Sequence, residues 1–229
     1  KAPQVITDDL NRFLVSCTSF QSFGSSSDVL IRLPVKGDTN AAQTSNRVMA
    51  ALHSVRPNDI GLADYGKPGN YFERQIGRWS KQYLASITEP IDEMDRLIEW
   101  LPAHIPPGAR DEDHVRIVHG DFRLDNLVFH PTEPRVIAVL DWELSTLGHP
   151  LADFSYHCMA WHIEPGTFRG IGGLDHAPLG IPGERDYVRR YCERVGQATG
   201  QALDADTVMA DWNFYLAYNL FRLASITQG

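Results

Sequence analysis

The stretch HGDFRLDN at residues 119–126 decides how this sequence is interpreted, together with LDWE at residues 140–143. Between them lie two apolar runs, 127–129 and 135–140, separated by the turn-forming residues HPTEP. Short apolar runs around such a turn predict a β-hairpin. A hairpin returns on itself, so the residues before its first strand lie near the residues after its second. We therefore expect the loop 119–126 to meet Asp141.

The residue types in these two segments predict a site for a metal and a phosphate. Asn126 and Asp141 flank the hairpin, and their side-chain oxygens are ligands that suit one Mg²⁺. Asp121 would lie just beyond the metal, where a carboxylate can accept a proton from an attacking hydroxyl. Arg123 can neutralise charge that develops on a phosphoryl oxygen. The alternative is a set of Asx residues that only cap turns, and we favour the site because the residues occur together.

Composition and charge are those of a globular protein with an acidic surface. The chain has 229 residues, of which 43% are hydrophobic, and a formal net charge of −8. Negative charge disfavours nucleic acid or an anionic membrane as a general partner. The three cysteines are widely spaced and form no CxxC pair, which is typical of a reducing compartment. Without a signal peptide or a membrane-length apolar run, we expect a cytoplasmic protein.

Hydrophobic periodicity predicts an α+β protein that is mainly helical, with a small sheet element where the polar motifs lie. The predicted helices cover residues 41–55, 71–86, 90–101, 150–162, 184–196 and 206–227, and the predicted strands cover 115–118, 127–129 and 135–140.

Three motifs in order carry a resemblance to a known family. His119, Asp121 and Asn126 have the spacing HxDxxxxN, LDWE follows the hairpin, and GHPLADF occupies residues 148–154. This order resembles the aminoglycoside and choline phosphotransferases of the protein-kinase-like superfamily. Within it, the stretch 52–161 most resembles the phosphotransferase-like domain fused to some acyl-CoA dehydrogenases, and its bacterial stand-alone relatives.

The resemblance implies a protein-kinase-like fold and a role for each motif residue. It makes Asp121 the catalytic base, places Arg123 at the position of the kinase loop lysine, and makes Asn126 and Asp141 the Mg²⁺ ligands. Asp153 would brace the catalytic loop, and we assign His119 to structural support of the same loop. The implied reaction transfers the γ-phosphoryl group of ATP or GTP to the hydroxyl of a small molecule.

The N-terminal nucleotide lobe is incomplete in this sequence. We expect residues 1–40 to be a remnant of it and residues 41–229 to form the helical lobe with the catalytic and acceptor sites. Backbone N–H groups of Gly24, Ser25 and Ser26 could contact phosphate. A strand lysine paired with a helix glutamate cannot be assigned. Either segments of the lobe are missing from the sequence, which we favour, or the lobe is degenerate and the protein is a non-catalytic kinase-like binding module.

Other motifs are weaker. Residues 61–68 match GxxxxGK, but Pro68 replaces the hydroxyl residue of a P-loop. Glu143 could bind the metal or the substrate, and it is equally compatible with a solvated position. Residues 164–186 contain few carboxylates, which favours a metabolic hydroxyl over a polycationic aminoglycoside as acceptor. A hydroxylated acyl group is one option, by analogy with the fused domains.

Overall fold

The computed structural model describes residues 41–166 and 170–227. Within these ranges the chain forms seven α-helices and four short strands, joined by loops and 3₁₀ turns. In chain order they are α1 (Ala41–Ser54), α2 (Tyr71–Ser86), α3 (Asp92–Ala103), β1 (Arg116–Val118), β2 (Leu127–Phe129), β3 (Val136–Val139), β4 (Thr146–Gly148), α4 (Pro150–Cys158), α5 (Glu184–Thr199), α6 (Ala205–Ala210) and α7 (Trp212–Thr227).

Aromatic packing between α2 and α7 forms a large part of the core. Phe72, Ile76 and Trp79 follow helical spacing on one face of α2, and all three are buried. The Phe72 ring meets the rings of Phe214 and Tyr218 edge-on, with centroids 5.2 and 5.0 Å apart. Such edge-to-face pairs add to the stabilisation from apolar burial. Helix α7 is thus packed against α2 through its aromatic side chains.

Two antiparallel strand pairs flank the loop 119–126, which contains the polar motif. β2 pairs with β3, with Leu127 opposite Val139. β1 pairs with β4, with Arg116 opposite Gly148. Along the chain, β1 precedes the β2–β3 hairpin and β4 follows it. The segments 119–126 and 140–145 connect one strand pair to the other. Helix α4 begins directly after β4 and packs against α7, where Asn219 Nδ2 donates to the Ala152 carbonyl at 2.9 Å.

The α+β class is confirmed, and the element boundaries differ in places. β4 was not expected, because its pairing partner β1 lies far earlier in the chain. The helix expected from residue 90 begins at Asp92, and the one expected over 206–227 divides at Asp211. α4 ends at Cys158 and continues as a 3₁₀ turn over Met159–His162.

The boundary at residue 40 stays a prediction, since residues 1–40 lie outside the described part of the chain. In the part that is described, no helix is long and apolar enough to cross a membrane.

Candidate active site

Asp153, at the start of α4, holds the loop that begins at His119. Its carboxylate accepts the backbone N–H of His119 at 2.6 Å and that of Gly120 at 2.8 Å. Burial alone raises the pKa of the Asp153 carboxyl, but the hydrogen bond and electrostatic interaction with His53, followed by those with His119, bring the pKa below its ordinary value. His53 Nε2 lies 3.4 Å from the carboxylate, and its Nδ1 lies 2.8 Å from the Tyr191 hydroxyl. The loop is therefore fixed from α4 and α1 together.

His119 joins the loop to the end of β3. Its Nδ1 accepts the backbone N–H of Asp121 at 3.2 Å, so its Nε2 carries the proton and donates to the Leu140 carbonyl at 2.8 Å. The side chain is fully buried. His119 contacts backbone rather than a ligand site, and it ties the position of Asp121 to that of Asp141.

Gly120 occupies a position that excludes a side chain. Its φ is +84°, in the left-handed region, and an added Cβ would lie 2.6 Å from the Leu144 carbonyl oxygen. The Gly120 carbonyl accepts a hydrogen bond from Arg222 Nη2 at 2.5 Å. Only glycine combines this conformation with this close approach.

Asp121 is half-buried and contacted on both carboxylate oxygens. The Tyr156 hydroxyl donates to Oδ1 at 2.6 Å. Asn126 Nδ2 donates to Oδ2 at 3.1 Å, and Arg123 Nε lies 3.3 Å from the same atom. A carboxylate held in this way has a fixed orientation, as a base must have to meet a hydroxyl at a defined point.

Asn126 and Asp141 lie at the same end of the hairpin. The Asn126 carbonyl accepts the backbone N–H of Leu140 at 2.8 Å, which places Asn126 opposite the residue before Asp141. Asn126 Nδ2 also donates to the Asp121 carbonyl at 2.8 Å. Because both contacts of the amide are to acceptors, the nitrogen must face Asp121, and Oδ1 is the atom that can meet a cation.

The donor set fits a hard divalent cation shared with a substrate. Asp141 is exposed, with a left-handed φ of 66° that asparagine and aspartate tolerate well. Among the described residues, no group of three or more His, Cys, Asp or Glu side chains could hold a metal by itself. Mg²⁺ in phosphotransfer sites takes one or two protein oxygens and completes its shell with phosphate and water. Asn126 Oδ1 and the Asp141 carboxylate match that pattern.

Arg123 lies between two carboxylates at the edge of a cavity. Its Nε is 3.3 Å from Asp121 Oδ2 and 3.8 Å from Asp125 Oδ2, within ion-pair distance but without hydrogen-bond orientation. Its side chain is 37% exposed, so the guanidinium can reorient towards an anion.

The cavity has a volume of about 560 Å³ and is lined mainly by apolar side chains. Arg123 and Tyr156, which both contact Asp121, form part of its wall. The apolar lining comes largely from the 3₁₀ turn after α4 and the following loop, including Met159, Trp161, Ile163, Ile171, Leu179 and Ile181. A volume of this size accommodates a small organic molecule.

Some predicted residues are not part of this cluster. Gly24, Ser25 and Ser26 lie outside the described residues. Lys67 of the P-loop-like segment is exposed, in a loop before α2. Glu143 is exposed as well.

Sequence reasoning missed three residues of the site: Tyr156, Arg222 and His53. The residue type gives no signal for Tyr156, because an aromatic residue in a helix usually packs in the core. The available signal was its spacing, since it lies three residues after Asp153 and therefore on the same face of α4. Arg222 had no such signal, because it lies 102 residues from the Gly120 that it contacts.

Comparison with known proteins gives matches over most of the chain. Residues 3–203 match the family model described as "Phosphotransferase enzyme family". The chain is 46% identical over 187 residues to mouse acyl-CoA dehydrogenase family member 10, covering 80% of this chain and 16% of that protein. The chain thus spans less than a fifth of the length of this relative.

Solved structures show the same fold. A candidate aminoglycoside phosphotransferase from Ralstonia eutropha is 57% identical, with a TM-score of 0.76, over 90% of this chain and 59% of that one. Choline kinase from Cryptosporidium parvum is 11% identical, with a TM-score of 0.56, over 94% of this chain and 74% of that one. The second likeness concerns the fold alone.

Proposed function

Since the chain belongs to the phosphotransferase enzyme family, we propose that it transfers the γ-phosphoryl group of Mg²⁺–ATP to the hydroxyl of a small metabolite with an apolar body. The observation that carries the proposal is the convergence of Asp121, Asn126 and Asp141 at one end of the hairpin, beside a mainly apolar cavity. GTP is the alternative donor.

In this proposal Asp121 is the base. The acceptor hydroxyl oxygen forms a bond to the γ-phosphorus, the bond from that phosphorus to the β-phosphate oxygen breaks, and the hydroxyl proton passes to the Asp121 carboxylate. The hydrogen bonds from Tyr156 and Asn126 hold that carboxylate in one orientation, which supports proton transfer by positioning.

Two kinds of contact would neutralise the negative charge on the transferred phosphoryl group. Arg123 is partly exposed and would turn from Asp121 towards a phosphoryl oxygen, where its positive charge would stabilise developing negative charge. Asn126 and Asp141 would hold the metal, which would supply positive charge to neutralise the phosphates.

The cavity lining supports an acceptor with an apolar body. Of the described residues that line it, Arg123 and Asp125 are the charged ones. A polycationic aminoglycoside needs several carboxylates, whereas apolar walls favour an alkyl or acyl chain. A hydroxylated acyl group combines such a chain with the required hydroxyl, and the likeness to acyl-CoA dehydrogenase family members agrees with it.

The test is a substrate screen with Mg²⁺–ATP, in which ADP release is measured and the phosphorylated product is identified by mass spectrometry. The panel contains hydroxylated fatty acids and their thioesters, choline and kanamycin. We expect turnover with the hydroxyacyl compounds and a strongly reduced rate with Asp121→Asn. Binding of Mg²⁺–ATP without turnover of any alcohol would instead support a non-catalytic binding module.

A further inference from the structure

We propose that Tyr156 and Arg222 are positioning residues that fix the Asp121 carboxylate for proton transfer, an inference that rests on the proposed function. The Tyr156 hydroxyl donates to Asp121 Oδ1 at 2.6 Å, the shortest of the contacts to that carboxylate. The hydroxyl comes from α4, whereas the other contacts come from the loop itself. Tyr156 therefore links the position of the Asp121 carboxylate to helix α4.

The hydrogen bond has a defined direction. Burial, followed by the hydrogen bond to Asp121, raises the pKa of the Tyr156 phenol well above its ordinary value. The phenol therefore stays protonated at neutral pH and donates, while the carboxylate accepts. With Oδ1 held by Tyr156 and Oδ2 held by Asn126, rotation of the Asp121 side chain would break at least one of these bonds.

Arg222, from α7, fixes Tyr156 and the loop at once. Its guanidinium carbon lies 4.9 Å from the centroid of the Tyr156 ring and 5.5 Å from that of Trp79. Its Nη2 donates to the Gly120 carbonyl at 2.5 Å. The side chain is 7% exposed. A planar guanidinium can stack on the rings while donating in its own plane, which a lysine ammonium cannot do.

Removal of the Tyr156 hydroxyl alone distinguishes a positioning role from a packing role. A phenylalanine ring would fill the same space against Arg222 and keep the same cavity wall. Only the hydroxyl reaches Asp121, so its removal acts on the orientation of the base. Tyr156 also lines the cavity, which places the fixed carboxylate next to the proposed acceptor.

The first test is Tyr156→Phe in the full chain. We expect kcat to fall about 10- to 100-fold through misorientation of the base, with the acceptor KM and the Kd for Mg²⁺–ATP within about twofold of wild type. Tyr83→Phe is the matched control, because Tyr83 is also buried and its hydroxyl contacts only the backbone N–H of Ile91 among the bonds described. An unchanged kcat in Tyr156→Phe, or a loss equal to that of Tyr83→Phe, would overturn the inference.

Arg222→Lys tests the second residue. We expect a lower kcat with an unchanged acceptor KM, and a double variant with Tyr156→Phe that loses about as much as Tyr156→Phe alone, because both act on one carboxylate. Multiplicative losses in the double variant would show that Arg222 acts independently. Thermal unfolding of each variant identifies any that fails to fold, and Tyr156→Phe alone then decides the inference.

A spectroscopic measurement does not depend on turnover. In protein labelled with ¹³C at tyrosine Cζ, the Tyr156 resonance is assigned by its loss in Tyr156→Phe. We expect it to shift in Asp121→Asn and not in Asp206→Asn, which changes an exposed carboxylate. If the resonance shifts but no alcohol is phosphorylated, the contact holds and the proposed function fails. If it does not shift, the inference fails.

Discussion

The carboxylate of Asp153 accepts the backbone N–H of His119 at 2.6 Å, across 34 residues of chain. This one contact joins the first turn of α4 to the start of the loop 119–126. It also accounts for the burial of a charged side chain, because that carboxylate receives the Gly120 N–H as well and lies beside His53.

Replacement of Asp153 should destabilise the protein strongly. Asp153→Ala leaves two buried N–H groups without an acceptor, so we expect a loss of about 3 kcal/mol or more in the free energy of unfolding. Asp153→Asn keeps one acceptor oxygen and should lose less. Asp206→Ala, which breaks an exposed ion pair with Arg185, should change it by less than about 1 kcal/mol. Urea denaturation measures all three, and equal losses for Asp153→Ala and Asp206→Ala would refute the bracing role.

Two glycines should respond to alanine in opposite directions. Gly120→Ala forces a side chain into the left-handed region and against the Leu144 carbonyl, so we expect a loss of about 2 kcal/mol or more and impaired activity. Gly77 lies in α2, and an added Cβ there would meet nothing within 4 Å. Gly77→Ala should therefore stabilise the protein by about 0.5–1 kcal/mol. Thermal unfolding gives both signs in one experiment.

Asp141→Ala should abolish the metal-dependent part of nucleotide binding. The alanine removes the proposed carboxylate ligand and also places a residue that disfavours positive φ at a φ of 66°. Asp141→Asn separates these effects, because asparagine tolerates that backbone conformation and retains one oxygen. Calorimetry measures ATP binding with and without Mg²⁺. The gain in affinity on adding Mg²⁺ should be smaller than wild type for Asp141→Asn and absent for Asp141→Ala. Unchanged affinity in Asp141→Ala would contradict the assignment.

Asp121→Asn should separate chemistry from binding. The amide cannot take up the hydroxyl proton, so we expect kcat to fall about 10²- to 10⁴-fold. The Kd for Mg²⁺–ATP should stay within about twofold of wild type, since Asp121 is not among the proposed metal ligands. Single-turnover kinetics with the acceptor found in the screen provides the measurement. Full turnover by this variant would exclude Asp121 as the base.

Stability should fall as the pH is lowered from about 6.5 towards 4, in the range where histidine titrates. Burial, followed by the charges of His114, His53 and Arg116, lowers the pKa of His149 to about 3, and burial lowers that of His157 to about 4. Below pH 6.5 the unfolded chain binds protons that the folded protein does not, so these groups favour folding above pH 6.5 and unfolding below it. Each contributes at most about 1.4 kcal/mol per pH unit.

Urea denaturation at pH 7.5, 6.0 and 5.0 measures this dependence, and His149→Asn is the variant to compare. Asparagine can still cap α4, as the His149 side chain does for the Leu151 N–H. The variant should show a shallower loss of stability between pH 6.5 and 5. An identical slope in the two proteins would show that His149 does not stay neutral in the fold.

The hairpin and the order of the motifs could be predicted from sequence because both are local. Two short apolar runs around a turn determine which strand ends lie together. The hydrogen bond from the Leu140 N–H to the Asn126 carbonyl joins those two ends. Packing between distant segments could not be predicted in this way. Tyr156 reaches Asp121 over 35 residues and Arg222 reaches Gly120 over 102. Spacing within α4 places Tyr156 only on the face of Asp153, and no periodicity within α7 indicates which partner Arg222 meets. β4 escaped prediction because its partner β1 lies far earlier in the chain, with Arg116 opposite Gly148.

The nesting of one strand pair inside the other has a practical consequence for engineering. The turn between β2 and β3 points away from the end of the hairpin that carries Asn126 and Asp141, and Pro131, Thr132 and Glu133 in it are exposed. Residues inserted there would lengthen the distal tip, while the outer strand pair and the Asn126–Leu140 bond keep the opposite end closed. This tip is therefore a place to attach a fluorophore or graft a peptide while the reaction is followed.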